Sequence, residues 1–179
     1  SSGDAPGRLL VAGKVDAAEK AARLDALFSR LSRAGDYGSA LPIEQQIWGE
    51  WLIFDGDGID HLMDEARNAL GAGQLQTALG VLDRIVAQAP DYAEGWNKRA
   101  TVLYMVGRHD ESLQDIERVL ALEPRHFGAI SGIALIMLAK GENEAVLEAV
   151  ERALRIHPNL PGAADLIRRA GGSGKGEPI

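Results

Sequence analysis

The chain has 179 residues, of which 46% are hydrophobic and 25% charged, with a formal net charge of −7. That size suits one domain of ordinary dimensions, and no apolar run approaches the ~18 residues a membrane helix needs. The acidic balance argues against sequence-independent nucleic-acid binding, which draws its affinity from Lys and Arg, and without cysteine there is neither a disulfide nor a thiolate metal site.

Residues 1–14 are rich in Gly, Ser and small residues and read as a flexible N-terminal segment. The first residue is Ser rather than Met, which implies a removed segment, either a signal peptide or a tag. From Val15 the pattern turns helical: Leu24, Leu27, Phe28 and Leu31 form the stripe of an amphipathic helix. Gly35 is placed to end it as a left-handed C-cap. A second helix is predicted over about 36–54, with Pro42 in its first turns and Trp48 and Trp51 side by side. Packing in the core of this pair is the first reading for the two tryptophans, and an exposed aromatic ledge the second.

Asp55-Gly56-Asp57-Gly58 is a turn, with Asp57 or Asp60 as the cap of the next helix. It is not a calcium loop, because the twelfth position from Asp55 is Ala66. Beyond it three combs run in one register. Pro90, Pro124 and Pro158, then Gly73, Gly107 and Gly141, then Ala66, Ala100 and Ala134, all recur every 34 residues. That period predicts helix pairs at about 59–71 with 74–88, 92–106 with 109–122, and 126–140 with 142–156. Glycine lets the chain reverse within a pair, alanine lets the second helix approach, and proline closes each second helix. Leu79, Leu113 and Leu147, with Leu82, Ile116 and Val150, fill the seam. A last helix is expected over 161–170 as a cap, and residues 171–179 read as a disordered polar tail. The Gly-Lys in that tail lacks the spacing of a phosphate loop.

Trp96, Ala100, Leu103, Gly107, Ile116 and Pro124 stand at signature spacings, and on these residues the chain resembles the tetratricopeptide repeat family. Leu62, Ala66, Gly73, Ala78, Leu82 and Pro90 match in the repeat before, and Ile130, Ala134, Gly141, Val150, Ala153 and Pro158 in the repeat after. The register gives three repeats at 59–92, 93–126 and 127–160, within 59–158, and makes 15–58 a divergent, degenerate first copy. The resemblance implies an all-α fold, a right-handed α-solenoid of antiparallel helix pairs. It also implies a groove lined by first helices, here by Met63, Arg67, Glu94, Asn97, Thr101, Tyr104, Met105, Ser131, Leu135 and Leu138. Some family members clamp a peptide carboxylate with cationic residues. The matching places here hold Met63, Arg67, Lys98, Gly128 and Gly132, so the clamp is incomplete. Glu65 and Arg99 stand where leucine is usual. Either both reach solvent along their stems or they pair between repeats.

No nucleophile elbow or cluster of converging titratable groups is present, and His61, His109, His126 and His157 form no ligand pair, which leaves them surface or cap roles. The function expected is a non-enzymatic adaptor that binds a protein or peptide on the concave face, with no cofactor, no metal, no nucleic acid and no membrane insertion. The alternatives are a small-ligand receptor or enzyme accessory protein with a pocket between the first pair and the repeats, or a self-associating scaffold. The resemblance extends to exported bacterial members of the family, which sets the expected compartment as the periplasm.

Overall fold

A computed structural model describes residues 7–171, with side chains from Asp16 onward. Its elements are α1 (Gly7–Arg33), α2 (Tyr37–Leu52), α3 (Ile59–Gly71), α4 (Leu75–Gln88), α5 (Ala93–Met105), α6 (His109–Leu122), α7 (Phe127–Ala139), α8 (Asn143–Ile156) and α9 (Ala163–Arg169). Among the described residues there is no strand, and no helix is long and apolar enough to cross a membrane.

Helices α3 to α8 form three antiparallel pairs. Each second helix packs on its own first helix and on the first helix of the next pair, and α8 is followed by α9. The glycine comb explains the reversals. Gly73, Gly107 and Gly141 have φ of 72°, 82° and 75°, a region that costs a side chain steric energy. The residue after each glycine donates its N–H back into the preceding helix, Gln74 to Ala69, Arg108 to Leu103 and Glu142 to Met137, at 2.8–2.9 Å. This pattern closes the orphan carbonyls at a helix end. Ala66, Ala100 and Ala134 are buried at the contact within each pair, and Leu82, Ile116 and Val150 are buried opposite them.

Three boundaries differ from the sequence pattern. Helix α1 begins at Gly7, within the stretch expected to be flexible, because residues 8–12 are helix formers with no internal breaker. Gly35 does not take positive φ. The α1–α2 turn is instead fixed from its far side, where Asp36 accepts the Ser39 N–H at 2.7 Å as the cap of α2. At α3 the cap is Gly58, at φ 77°, and neither Asp57 nor Asp60 makes a capping bond there. Residues 1–6 of the expected lead-in and 172–179 of the expected tail lie outside the described residues.

The α1–α2 hairpin departs most from expectation. An in-register copy would stack on α3–α4. The hairpin instead lies along the edge formed by the loops that join successive pairs, with α1 reaching α8 and α2 reaching α5. Its core of Leu24, Leu27, Phe28, Leu31, Ile43, Ile47 and Trp51 is completed by Phe127, with Ile156 and Leu160 packed against it. Tyr92, His126 and Leu160 occupy equivalent loop positions, and each meets the hairpin. Tyr92 Oη donates to the Leu52 carbonyl at 2.7 Å, His126 stacks on Trp51, and Leu160 joins the hairpin core. Burial, with Glu94 adding to it, pushes the Tyr92 hydroxyl far above its usual range, so it remains a donor. Further clasps join Arg125 to Asp25 at 2.8 Å, His157 to Glu44 at 2.8 Å and Asn159 to the Ala34 carbonyl at 2.8 Å.

Candidate functional site

A recess of about 130 Å³ opens between α5 and α7. Asn97, Thr101 and Tyr104 line it from α5, and Ser131 and Leu135 from α7. Its floor is Ala100, Ile116, Ala129 and Ile136, with Gly128 and Gly132 leaving the α7 side open. A Cβ on Gly132 would lie 3.1 Å from Ile116 Cδ1, so this glycine lets α7 approach α6 closely.

The polar groups of the recess have a direction. Ser112 Oγ donates to the Ala100 carbonyl at 2.6 Å, Thr101 Oγ1 to the Asn97 carbonyl at 3.1 Å, and Ser131 Oγ to the Phe127 carbonyl at 2.8 Å. Each hydroxyl proton is thus spent within the fold, and the oxygens keep lone pairs to offer. Tyr104 is half-buried and its ring stacks on His109, with centroids 5.3 Å apart. The site is a small apolar hollow rimmed by hydrogen-bond acceptors and one aromatic ring.

Asn97, Thr101, Tyr104, Ser131 and Leu135 therefore come together at one recess. The other groove positions do not join them. Met63 is buried in the core of α3 and α4. Arg67 is exposed on α3. Met105 is 52% exposed near the end of α5, and Leu138 is half-buried against the core of α7 and α8. Glu94 is wholly buried. Its Oε1 lies 2.5 Å from His126 Nε2 and 3.4 Å from Asn97 Nδ2. The Ala129 N–H donates to His126 Nδ1 at 3.0 Å. The ring proton therefore sits on Nε2 and points at the carboxylate. Of the surface or cap roles expected for the histidines, His126 takes the cap of α7, and the surface reading is corrected for both His126 and His157, which are fully buried, the second held by Glu44.

The Glu65–Arg99 pair does not form. Glu65 is exposed, while Arg99 holds Asp115 through two nitrogens at 2.8 Å and Asp83 through a third at 3.1 Å. The two tryptophans are also placed. Trp51 is buried and stacks on His126 at 4.0 Å between centroids, and half-buried Trp48 lies edge-on to Phe127 at 5.8 Å. The sequence names Asn97, Thr101, Tyr104 and Ser131 among the polar side chains of the recess but misses Ser112 and the floor. The pointer to that floor is a run of small residues, Gly128, Ala129 and Gly132, which in the sequence reads only as missing charge.

Known proteins agree with this architecture. The tetratricopeptide repeat family model matches residues 63–121 and 98–161. A TPR repeat-containing protein of Rhizobium etli is 40% identical over 94 residues, and the match covers 52% of this chain and 46% of that protein, so the chain spans about half the length of that relative. Among solved structures, the first TPR of Spaghetti bound to an HSP90 peptide superposes with a TM-score of 0.63 at 18% identity, covering 66% of this chain and 94% of that one. The TPR2B domain of yeast Sti1 in complex with pHsp70 gives 0.60 at 18% identity, over 66% and 99%. MamA gives 0.61 at 20% identity, over 78% and 80%. With its three helix pairs, its glycine reversals and a family match across most of the array, the chain belongs to the tetratricopeptide repeat family.

Proposed function

We propose that the chain is a non-enzymatic interaction module that holds a segment of a protein partner on the concave face, in the recess between α5 and α7. The observation that carries this reading is the recess itself, an apolar hollow with Tyr104 and Leu135 on its walls. An engineered cavity of about 150 Å³ in another protein accommodates benzene, so a hollow of this size suits one aliphatic or aromatic side chain. The rim of hydroxyl lone pairs suits backbone N–H groups on either side of that anchor. The peptide-bound states named for the Spaghetti and Sti1 neighbours support the same mode of use. The cationic carboxylate clamp is not part of this reading, because Gly128 and Gly132 occupy two of its places.

The test is recovery of partners by the immobilised chain and by a Tyr104→Ala, Leu135→Ala variant with unchanged helical content. The variant is expected to lose specific partners by roughly tenfold or more, as removal of an aromatic anchor does at an interface hot spot. Equal recovery by both proteins would remove the recess from the site.

A further inference from the structure

The recess is a gap, and a gap does not set its own width. Packed side chains transmit position from one helix to the next, but α7 presents Gly128 and Gly132 where it borders the recess. The separation of α5 and α7 on this side is therefore set by whatever holds the helix ends. At the N-terminal end two contacts do so. His126, the cap of α7, is joined to Glu94 in the first turn of α5. Behind it stands the hairpin. Trp51 covers the His126 ring in a stacked arrangement, with planes 12° apart. Trp48 presses on the α7 backbone so closely that a Cβ on Gly128 would fall 2.7 Å from the indole. Lys98 of α5 lies over the same indole at 5.9 Å. One element, α2, thus touches the first turn of α7 and, through Lys98, the second turn of α5.

We infer that Trp48 and Trp51 are positioning residues for the recess: the hairpin sets where α7 stands relative to α5, and so the width of the opening, without lining it. The hairpin runs past all three loop junctions, from Ala34 beside Asn159 to Leu52 beside Tyr92. This lets it fix the relation of the repeats as well as the two helices. The inference goes beyond the proposed binding role and concerns the geometry of the free protein, so its failure and the failure of the binding role are separable.

The chain has no native cysteine, so spin labels can be placed by substitution alone. Asn68→Cys on α3 and Ala139→Cys on α7, both exposed, report by pulsed dipolar spectroscopy where α7 stands relative to the first pair, whose second helix α4 packs on α5. Asn68→Cys with Gln88→Cys, exposed at the end of α4, is the control within one pair. In Trp48→Ala the α3–α7 distance should shift by ~1–2 Å or more, the scale of helix shifts at packed interfaces, and its distribution should broaden. The control distance should stay fixed, and Trp48→Phe, which lacks the outer indole carbons that face Gly128, should shift the α3–α7 distance in the same direction but by less. Gly128→Ala, which keeps every seam side chain and adds one methyl group against Trp48, should shift the same distance. It decides the matter if Trp48→Ala unfolds the hairpin. An α3–α7 distribution unchanged in Gly128→Ala, or unchanged in a folded Trp48→Ala, would overturn the assignment.

Discussion

Asp115 has a side chain only 4% exposed, and its two oxygens are both engaged by Arg99. The guanidinium fork fits a carboxylate with two parallel bonds, and these bonds hold Arg99 in its charged form. Removing one side of such a pair leaves a buried charge without a partner, at a cost of about 3 kcal/mol. Arg99→Leu should therefore lower unfolding stability in urea by that order. Glu65→Leu, on an exposed site, should stay within about 0.5 kcal/mol. Equal small losses in both would mean that Asp115 finds water instead. The sequence register places Glu65 and Arg99 at equivalent sites of neighbouring repeats, which suggests a pair. Equivalent sites present the same face, however, and the acids that Arg99 meets stand on the second helices on either side of it. Glu94 departs from its register for a similar reason. Its repeat position points to the groove, but a histidine cap on the next first helix captures it, and no periodicity announces that capture.

Each reversal within a pair depends on a backbone state that only glycine reaches cheaply. Gly107 has φ 82°, and a Cβ there would meet nothing within 4 Å. The cost of Gly107→Ala is then that of the left-handed conformation alone, about 1–2 kcal/mol. Gly80 is the opposite case. It lies within α4, also with nothing near a Cβ, so Gly80→Ala should raise stability by about 0.4–1 kcal/mol. Chemical denaturation of the two variants should give opposite signs, and a shared sign would contradict the assigned turn geometry. These elements are legible in the sequence because their determinants are local. Glycine, alanine and proline at a fixed period dictate a turn, a close contact and a stop within a few residues of each other. The start of α1 and the ending at Gly35 are less legible. Helix formers extend the first upstream, and a cap on the following helix substitutes for the second.

Over the whole molecule, two parts of different origin meet. The array follows from its repeat, and its recess follows from small residues on α7. The hairpin follows from neither. Its contacts join Trp48 to Gly128 and Glu44 to His157, pairs far apart in the chain. Single-sequence periodicity carries no record of such distant pairing, which is why the apolar stripe of α1 is readable and its docking place is not. The candidate site is legible to the same degree. Asn97, Thr101, Tyr104, Ser131 and Leu135 follow from the repeat register, while the floor, the open glycine side of α7 and the tryptophan support behind it require the folded arrangement. The central claim is that a partner segment lies in the recess between α5 and α7. The most direct measurement places a photoreactive phenylalanine analogue at position 104 and, separately, at position 122, where Leu122 is exposed on α6. After irradiation with the natural partners present, covalent adducts should form from position 104 and be absent from position 122. Adducts from position 122 alone, or equally from both, would contradict the account.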